Sequence, residues 1–565
     1  MKIKYILIYS FLIAGLFSSC KKSLDEKVYG SYSELNSVAT INSAALGLYQ
    51  SLQLNQLSAL YPMAEVGSRY SSYGSSGDNF GNRDFYRYIY TNRNTEFNDV
   101  WGYYYGLINR SNEVIEATQK VIKDTTVANP IIAEAKCLRA WNYFVLTQFF
   151  GDIPLHIKST ATSNQNDNNL PRTPVADIYA QIVDDLKYAT VIFPDGKTRL
   201  PLTRDAANLG RVTAATALAM LGKVYLTMAG KPLNDPNGYQ NAINTLRILV
   251  TNRVKYNTDL LPKGSYSRIF ATNNEMNKEI LFANRAFANS TNLIYGSRFP
   301  SMLSPVGSDL NSGVTGLASN ISNTYGLRSD IVNLFQGNST SSSAQLYGDA
   351  RLRDGIGFIY QDMRPAGINA TTGLRDSIIY NLSTKRYNVY RGGVIITTPP
   401  AASNITPTAG YGLAFTKYKA DAPWFQNNIR GFNNDWIMLR FADVLLCYSE
   451  ALNETGQSAV AIPFLNEVRL RANTSPISLT TGQSDLRKII REERTRELVG
   501  EFTTVFDMRR WGTVQQEIEA IQLDQFLPSY VTPLPVYDPK YNLYPIPYAQ
   551  IAINPNLKVK IPDWN

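Results

Sequence analysis

The sequence predicts a mainly α-helical protein in which a helical scaffold carries a face of long loops, with few short strands. Apolar residues recur at helical spacing before residue 230 and again between residues 436 and 512. Between residues 273 and 435 that spacing is lost, and serine, threonine, asparagine, glycine and proline dominate. Such stretches are typical of loops, and long loops in a compact protein often carry function. We expect one compact unit, because no linker-like stretch divides the chain.

The first twenty residues have the layout of an export signal. Two lysines precede an apolar run, Tyr5–Phe17, and Ser18 and Ser19 then lead to Cys20. The run is too short to span a bilayer, so we interpret residues 1–19 as a signal peptide. Small residues before a cysteine are similar to a bacterial lipobox, which predicts lipidation of Cys20 after cleavage. Ordinary secretion with an unmodified or trimmed cysteine is the alternative.

Composition argues against several functional classes. The net charge is +9 without a dense lysine or arginine run, so we expect no nucleic-acid partner. One histidine, His156, cannot form a histidine-rich zinc site, and no nucleophile elbow, phosphate loop or dinucleotide fingerprint is present. We therefore predict no enzyme, metal or cofactor. Cys137 and Cys447 lie in apolar helical patterns and are predicted to be buried thiols, with a disulfide as the alternative.

The N-terminal region is predicted to consist of successive helices. They are Ser37–Leu57, Asn98–Ile122, a helix opened by Pro130 and stopped by Gly151, a helix with Thr173 as N-cap and Pro174 in its first turn, and a helix after Gly210. Trp141 lies in an apolar stripe that runs from Ala135 to Phe149. Small residues on one side of the last helix predict close packing of helix pairs, as in tetratricopeptide repeats, although the spacing is too irregular for a repeat array.

Helical spacing returns at Trp436. Apolar positions beginning with Met438 predict one helix, and positions beginning with Leu486 predict a second. The second helix also carries charged residues, Glu493, Arg494, Arg496 and Glu497. Opposite charges three and four residues apart usually form ion pairs on a scaffold, so we leave these residues outside the predicted site.

Five motifs in order resemble the SusD/RagB family of outer-membrane nutrient-binding lipoproteins. They are AEAKCLRAWNYFVLTQFFGDIPL (residues 133–155), GDARLRD (348–354), LRFADVLLCYSEALNETG (439–456), REERTRELVGE with FDMRRWG (491–512) and YPIPYAQIAINPNL (544–557). The chain departs from the family at two places. The family usually has Gly-x-Arg after Glu501, where this chain has Phe502, Thr503 and Thr504. It usually ends in Asn-Pro-Gly-Tyr, where this chain has residues 561–564, Ile-Pro-Asp-Trp.

The resemblance implies an architecture and a role. It implies a family N-terminal region over residues 20–230 and a C-terminal region over 231–565, which contains the loop-rich 273–435 and the helical 436–512. It also implies a surface-exposed, lipid-anchored protein of the outer membrane that captures oligosaccharide for a SusC-like TonB-dependent transporter, without catalysis. Binding of peptides, or a role mainly as the transporter's lid, is the alternative. A glycoside hydrolase is a distant third, because its paired acids carry no local signature.

The ligand face is predicted from residue type. Aromatic rings stack on sugar rings, and amide, carboxylate and guanidinium groups bond to hydroxyls, so we seek both kinds of residue together in loops. The segment 68–94 offers Tyr73, Asp78, Asn79, Arg83 and Tyr86, and a second region offers Tyr295, Arg298 and Tyr325. Trp424 is a third candidate. As the alternative, Tyr86, Tyr88 and Tyr90 alternate on a strand and only cover the core.

Overall fold

The computed structural model describes most of the chain outside its first 34 residues and parts of the predicted loop region. The described residues are 35–50, 57–73, 80–160, 169–194, 196–286, 325–327, 329–336, 349–354, 359–361, 377–381, 386–391, 394–396, 417, 424–426, 429–431, 433–521 and 535–558. The predictions for Cys20, Asp78, Asn79, Tyr295 and Arg298 lie outside them. No helix in the described ranges combines the length and apolar character needed to cross a bilayer.

Helices dominate the described chain, which confirms the predicted fold class. In the N-terminal half they are α1 (Val38–Gln50), α2 (Leu57–Tyr61), α3 (Phe80–Arg87), α4 (Thr95–Val121), α5 (Thr125–Phe150), α6 (Val175–Ala189), α7 (Ala214–Ala229), α8 (Gly238–Thr251) and α9 (Arg253–Tyr256). Further along they are α10 (Ser329–Gln336), α11 (Ala350–Asp354), α12 (Phe441–Glu454), α13 (Ser458–Arg471), α14 (Gln483–Leu498), α15 (Thr504–Arg510), α16 (Val514–Glu519) and α17 (Tyr548–Ile553). A π-helix, Pro62–Val66, follows α2 directly.

Two predicted helices begin at different residues than expected, because aspartate side chains that the apolar pattern does not include cap their first turns. The helix expected to open at Pro130 begins at Thr125, because the Asp124 carboxylate accepts a hydrogen bond from the Thr126 amide at 2.8 Å. Thr173 is not the N-cap of α6. The Asp152 carboxylate instead accepts from the Val175 amide at 2.8 Å, 23 residues along the chain. Gly151 ends α5 as predicted, with a φ of +70° that glycine adopts without strain.

Ten short strands are described, and all but the first and the last lie in the region predicted as loops, residues 273–435. They are β1 (Ser71–Tyr73), β2 (Ile280–Asn284), β3 (Tyr325–Leu327), β4 (Ile359–Gln361), β5 (Ser377–Asn381), β6 (Arg386–Arg391), β7 (Val394–Ile396), β8 (Trp424–Gln426), β9 (Ile429–Gly431) and β10 (Trp436–Arg440). Strands β4 to β7 form one antiparallel sheet in sequence order, while β1 pairs with β3, β2 with β10 and β8 with β9. The helix predicted to begin at Trp436 begins later. Residues 436–440 form strand β10, and α12 begins at Phe441.

Consecutive helices pack against each other, as expected from tetratricopeptide-like pairing. Helix α4 packs on α5, α5 on α6, α7 on α8 and α12 on α13. Buried apolar residues from Ile41 to Leu557 form one contiguous core. Cys137 and Cys447 are both free and buried within it, which confirms the prediction of thiols over a disulfide.

A buried ion-pair network joins the helices to the region between residues 287 and 432. Arg440, 1% exposed, donates to the carboxylates of Glu279, Glu497 and Glu501 at 2.9, 2.6 and 2.6 Å. Arg471 adds further bonds to Glu279 and Glu497. These charges come from the residue before β2, from β10, α13 and α14, and from the turn after α14, so the network ties together elements far apart in sequence.

Two parts of the loop-rich region reach into this network. Arg351 in α11 is fully buried and bonds to Asp349 at 2.8 Å and to Glu493. Lys417, 2% exposed, donates to the Glu501 carboxylate at 2.6 Å and to the Glu497 carbonyl at 2.8 Å. The predicted local ion pair between Glu493 and Arg496 is confirmed at 2.9 Å, but most partners of the charged residues on α14 are distant in sequence.

Candidate functional site

The strand pair β1–β3 brings two predicted ligand residues together. Its antiparallel register sets Ser71 opposite Leu327, Ser72 opposite Gly326 and Tyr73 opposite Tyr325. Residues directly opposite one another in an antiparallel pair share one face of the ladder. The two tyrosines were predicted from separate segments, and the register makes them neighbours.

The remaining described candidates lie elsewhere. Arg83 and Tyr86 both belong to α3, not to a loop. Tyr86 is only 2% exposed, and Tyr88 and Tyr90 are buried with it. We therefore correct the role of Tyr86 to core packing, as in the alternative interpretation, although on a helix and not on a strand. Trp424 opens β8, opposite Gly431, in a sheet separate from β1–β3.

The residues that lead into β1, 62–70, are buried except for the half-buried Arg69, and they contact the C-terminal region. Every residue of the π-helix Pro62–Val66 is buried, and single-turn π-helices are frequent at functional sites. Glu65 is 0% exposed, and its carboxylate accepts from the Thr503 amide at 2.9 Å and the Thr504 hydroxyl at 2.7 Å. The Tyr544 hydroxyl donates to the Met63 carbonyl at 2.7 Å. The segment is thus held by residues more than 400 positions away.

Further hydrogen bonds connect Glu65 to the residues that immediately precede β1. The Ser68 hydroxyl donates to the Glu65 carbonyl at 2.8 Å and accepts from the Tyr70 amide at 3.3 Å. Tyr88 donates from its hydroxyl to the Gly67 carbonyl. Arg69 forms an ion pair with Glu517 at 3.1 Å, and β1 begins two residues later.

Burial sets the electrostatics of this segment. Desolvation raises the pKa of Glu65 to about 7, although the hydrogen bonds from Thr504 and Thr503 oppose the shift. Desolvation also raises the pKa of Tyr70 to about 12. The bonds to Glu65 in the described part of the chain come from backbone amides and a hydroxyl, so its charge, when present, has no cation beside it.

A narrow cleft adjoins this contact. Its lining includes Tyr70, Thr504, Asp507, Trp511 and Glu517. Over the described residues, no group of three or more histidine, cysteine, aspartate or glutamate side chains could hold a metal ion. The arrangement is suited to positioning a binding strand.

His156 and Cys447, which the composition singled out, are packed among residues of the core and not in a reactive site. His156 packs edge-on against Tyr105, with ring centroids 5.7 Å apart, and its amide donates to the Tyr143 hydroxyl at 2.7 Å. Desolvation raises the pKa of the Cys447 thiol to about 12, so it is not a thiolate nucleophile at neutral pH.

Sequence reasoning missed Glu65 and Lys417. A usable signal existed for Glu65, which is a lone carboxylate in the otherwise uncharged stretch YPMAEVG. Such a residue is buried only with partners, and its partners lie at Thr503 and Thr504. Lys417 stands in FTKYK and has no local signal that separates it from an exposed lysine.

Family models match both halves of the chain. A model described as the SusD family matches residues 278–564, and one described as starch-binding and associating with the outer membrane matches residues 22–226. A curated relative from Formosa agariphila, SusD-like protein P2, is 26% identical over 475 residues, which cover 82% of this chain and 80% of the relative.

Solved structures share the fold. A SusD homologue from Bacteroides thetaiotaomicron has a TM-score of 0.68 and 23% identity, covering 93% of this chain and 97% of that one. Surface glycan-binding protein A from the same species, in complex with laminarihexaose, has a TM-score of 0.66 and 19% identity, covering 92% of this chain and 98% of that one. At these identities the likeness establishes the fold alone.

Proposed function

The protein belongs to the SusD family, and on that premise we propose that it binds an oligosaccharide at the outer membrane and delivers it unchanged to a TonB-dependent transporter. It is held at the membrane by a lipid on Cys20. A receptor tethered at a channel mouth raises the local concentration of ligand there, which is the physical advantage of this arrangement.

The observation that carries this proposal is the register of β1 and β3. Tyr73 and Tyr325 lie opposite each other at one end of a short sheet. Paired aromatic residues on one face suit the apolar face of a sugar ring, and polar side chains nearby suit its hydroxyls. The predicted Asp78, Asn79, Arg83, Tyr295 and Arg298 complete the proposed ligand set.

Replacing the two tyrosines is the first test. One aromatic stack contributes roughly 0.5–1.5 kcal/mol, so Tyr73→Ala or Tyr325→Ala should weaken glycan binding by about tenfold at most. The double variant should lose up to about a hundredfold. The measurement is calorimetry with the tightest ligand from a glycan and peptide array on the lipid-free protein.

Tyr86→Ala is the matched control, because Tyr86 is buried in α3. It should lower the melting temperature, whereas the Tyr73 and Tyr325 variants should hardly change it. Unchanged affinity in the double variant would move the proposed site to Trp424. Array binding of peptides alone would favour the peptide alternative, and steady release of shorter sugars would favour a hydrolase.

The anchor is tested separately. Cys20→Ala should release the protein from the outer-membrane fraction, because Cys20 is the proposed attachment and the acyl chains it carries would supply the membrane affinity. Fractionation and labelled palmitate uptake measure the effect, with Cys447→Ala as the control for loss of a thiol elsewhere. A Cys20→Ala protein that stays in the membrane fraction, together with an unlabelled wild type, would contradict the proposed anchor.

A further inference from the structure

We infer that Glu65 is a proton-controlled clamp that positions β1 and thereby makes ligand affinity depend on pH. The clamp itself is a property of the ligand-free protein. Its effect on affinity rests on the proposed glycan-binding function.

The geometry gives Glu65 two attachments. Its carboxylate bonds to Thr503 and Thr504 at the start of α15, at 2.9 and 2.7 Å. Its carbonyl accepts from the Ser68 amide at 3.1 Å and from the Ser68 hydroxyl at 2.8 Å. Ser71, the first residue of β1, follows three positions after Ser68. One residue therefore connects α15 to the strand that carries Tyr73.

The charged and titratable groups around Glu65 are engaged with other partners. Among the described residues these contacts are Arg69 with Glu517, Glu501 with Arg440, Asp507 with Arg494 and Arg510, Arg509 with the Gln148 carbonyl, Tyr88 with the Gly67 carbonyl and Tyr544 with the Met63 carbonyl. An ionised Glu65 is thus a buried charge held only by neutral donors, an arrangement that costs free energy.

The neutral carboxyl keeps the same contacts without that cost. One oxygen still accepts from the Thr503 amide, and the protonated oxygen can donate to the Thr504 hydroxyl. The pKa of Glu65 is about 7 in the clamped state, while a hydrated carboxyl in an opened state has the ordinary value of 4.5. The clamped state therefore binds the proton more strongly, and it weakens relative to the opened state by about tenfold between pH 6 and pH 8.

The sequence departure after Glu501 points to a decisive variant. Where the family usually has arginine, this chain has Thr504, which bonds to Glu65 and lines the cleft. Thr504→Arg would place a cation beside the carboxylate. A paired carboxylate stays ionised across this pH range, so its clamp should not respond to pH.

Hydrogen exchange of the ligand-free protein tests the clamp directly. At pH 6 and pH 8, protection of residues 62–73, corrected for intrinsic exchange rates, should fall about tenfold in the wild type. Glu65→Gln and Thr504→Arg should change by less than about twofold over the same range. The second variant also covers the case in which Glu65→Gln does not fold. Equal pH responses in all three proteins, or none in the wild type, would overturn the clamp.

A matched control uses another buried carboxylate. Glu134, 2% exposed, pairs with Arg211 and accepts from the Tyr49 hydroxyl at 2.5 Å, away from the 62–73 segment. Glu134→Gln should lower the melting temperature while residues 62–73 keep the wild-type pH response. Loss of the response in this variant would assign the effect to general stability and overturn the specific role of Glu65.

Calorimetry with laminarihexaose and maltohexaose tests the consequence for binding. Both sugars are uncharged, so any pH dependence comes from the protein. Affinity of the wild type should fall from pH 6 to pH 8 by the factor by which the clamped fraction falls, and that of Glu65→Gln should stay constant. Exchange that responds to pH without binding of either sugar would leave the clamp standing and count against the glycan proposal. Sugar binding together with hydrogen exchange that does not depend on pH would support the glycan proposal and overturn the clamp.

Discussion

Arg440→Ala is expected to destabilise the protein by about 3–5 kcal/mol, because it removes one partner from a buried ion-pair network. The guanidinium bonds to the carboxylates of Glu279, Glu497 and Glu501, which are 0%, 0% and 6% exposed. Alanine leaves those carboxylates desolvated with one cation fewer. The cost arises from the charges that remain buried, so it exceeds the value of the intact pair.

Urea unfolding followed by circular dichroism measures this loss. The matched control is Arg487→Ala, whose ion pair with Glu454 involves a side chain that is 35% exposed. Exposed pairs contribute about 0–1 kcal/mol, so this variant should unfold close to the wild type. A loss below about 1 kcal/mol for Arg440→Ala would mean that protons or water replace the missing charge, and that the network is not a determinant of stability.

Stability is expected to reach its maximum near pH 5. Burial raises the pKa of Glu65 to about 7 and that of Asp435 to about 6. Between their unfolded and folded values the native state holds more protons than the unfolded chain, so stability rises as the pH falls from 8 toward 5. Below pH 4.5, carboxylates whose pKa is lowered in the folded state become protonated, and stability falls. Glu493 is held at a pKa of about 2 by Arg351, Arg496 and Arg469 against its desolvation, and protonating it breaks those pairs.

The acid loss should be large. One pKa unit corresponds to 1.36 kcal/mol, so Glu493 alone accounts for roughly 3 kcal/mol between pH 4.5 and pH 2. The pKa values of Glu497 and Asp443 are also lowered by neighbouring cations, which adds to the loss. Melting temperatures from pH 2.5 to pH 8 provide the measurement.

The double variant Glu65→Gln with Asp435→Asn is the control for the neutral side of this profile. It should abolish the rise between pH 8 and pH 5 and keep the acid loss, since Glu493 is untouched. A wild-type stability that falls steadily from pH 8 to pH 5 would contradict the predicted sign.

The helices were predictable because their signal is local. The stripe containing Trp141 and the positions from Leu486 both lie in helices, α5 and α14. The start of α6 was missed because its capping carboxylate belongs to a distant residue, Asp152. Met438 matched helical spacing by chance, because all five residues of β10 are buried and the alternation typical of a strand is lost.

The candidate site was only partly predictable, because its geometry depends on contacts between residues far apart in sequence. Residue type pointed to Tyr73 and Tyr325, but no local pattern contains their register, which joins segments about 250 residues apart. The same composition argument wrongly favoured Tyr86, since an aromatic residue in a polar segment can turn into the core. Arg351 and Glu493, separated by 142 positions, show the same limit for ion pairs.

The two-point attachment at Arg351 and Lys417 has an engineering consequence. Both ends of the segment between them are fixed by the same buried ion-pair network, Arg351 through Glu493 and Lys417 through Glu501. A segment taken from another family member should be graftable between these two positions, provided that it retains an arginine at its entry and a lysine at its exit. Because the proposed ligand residues lie outside positions 351–417, such a graft should leave glycan affinity unchanged.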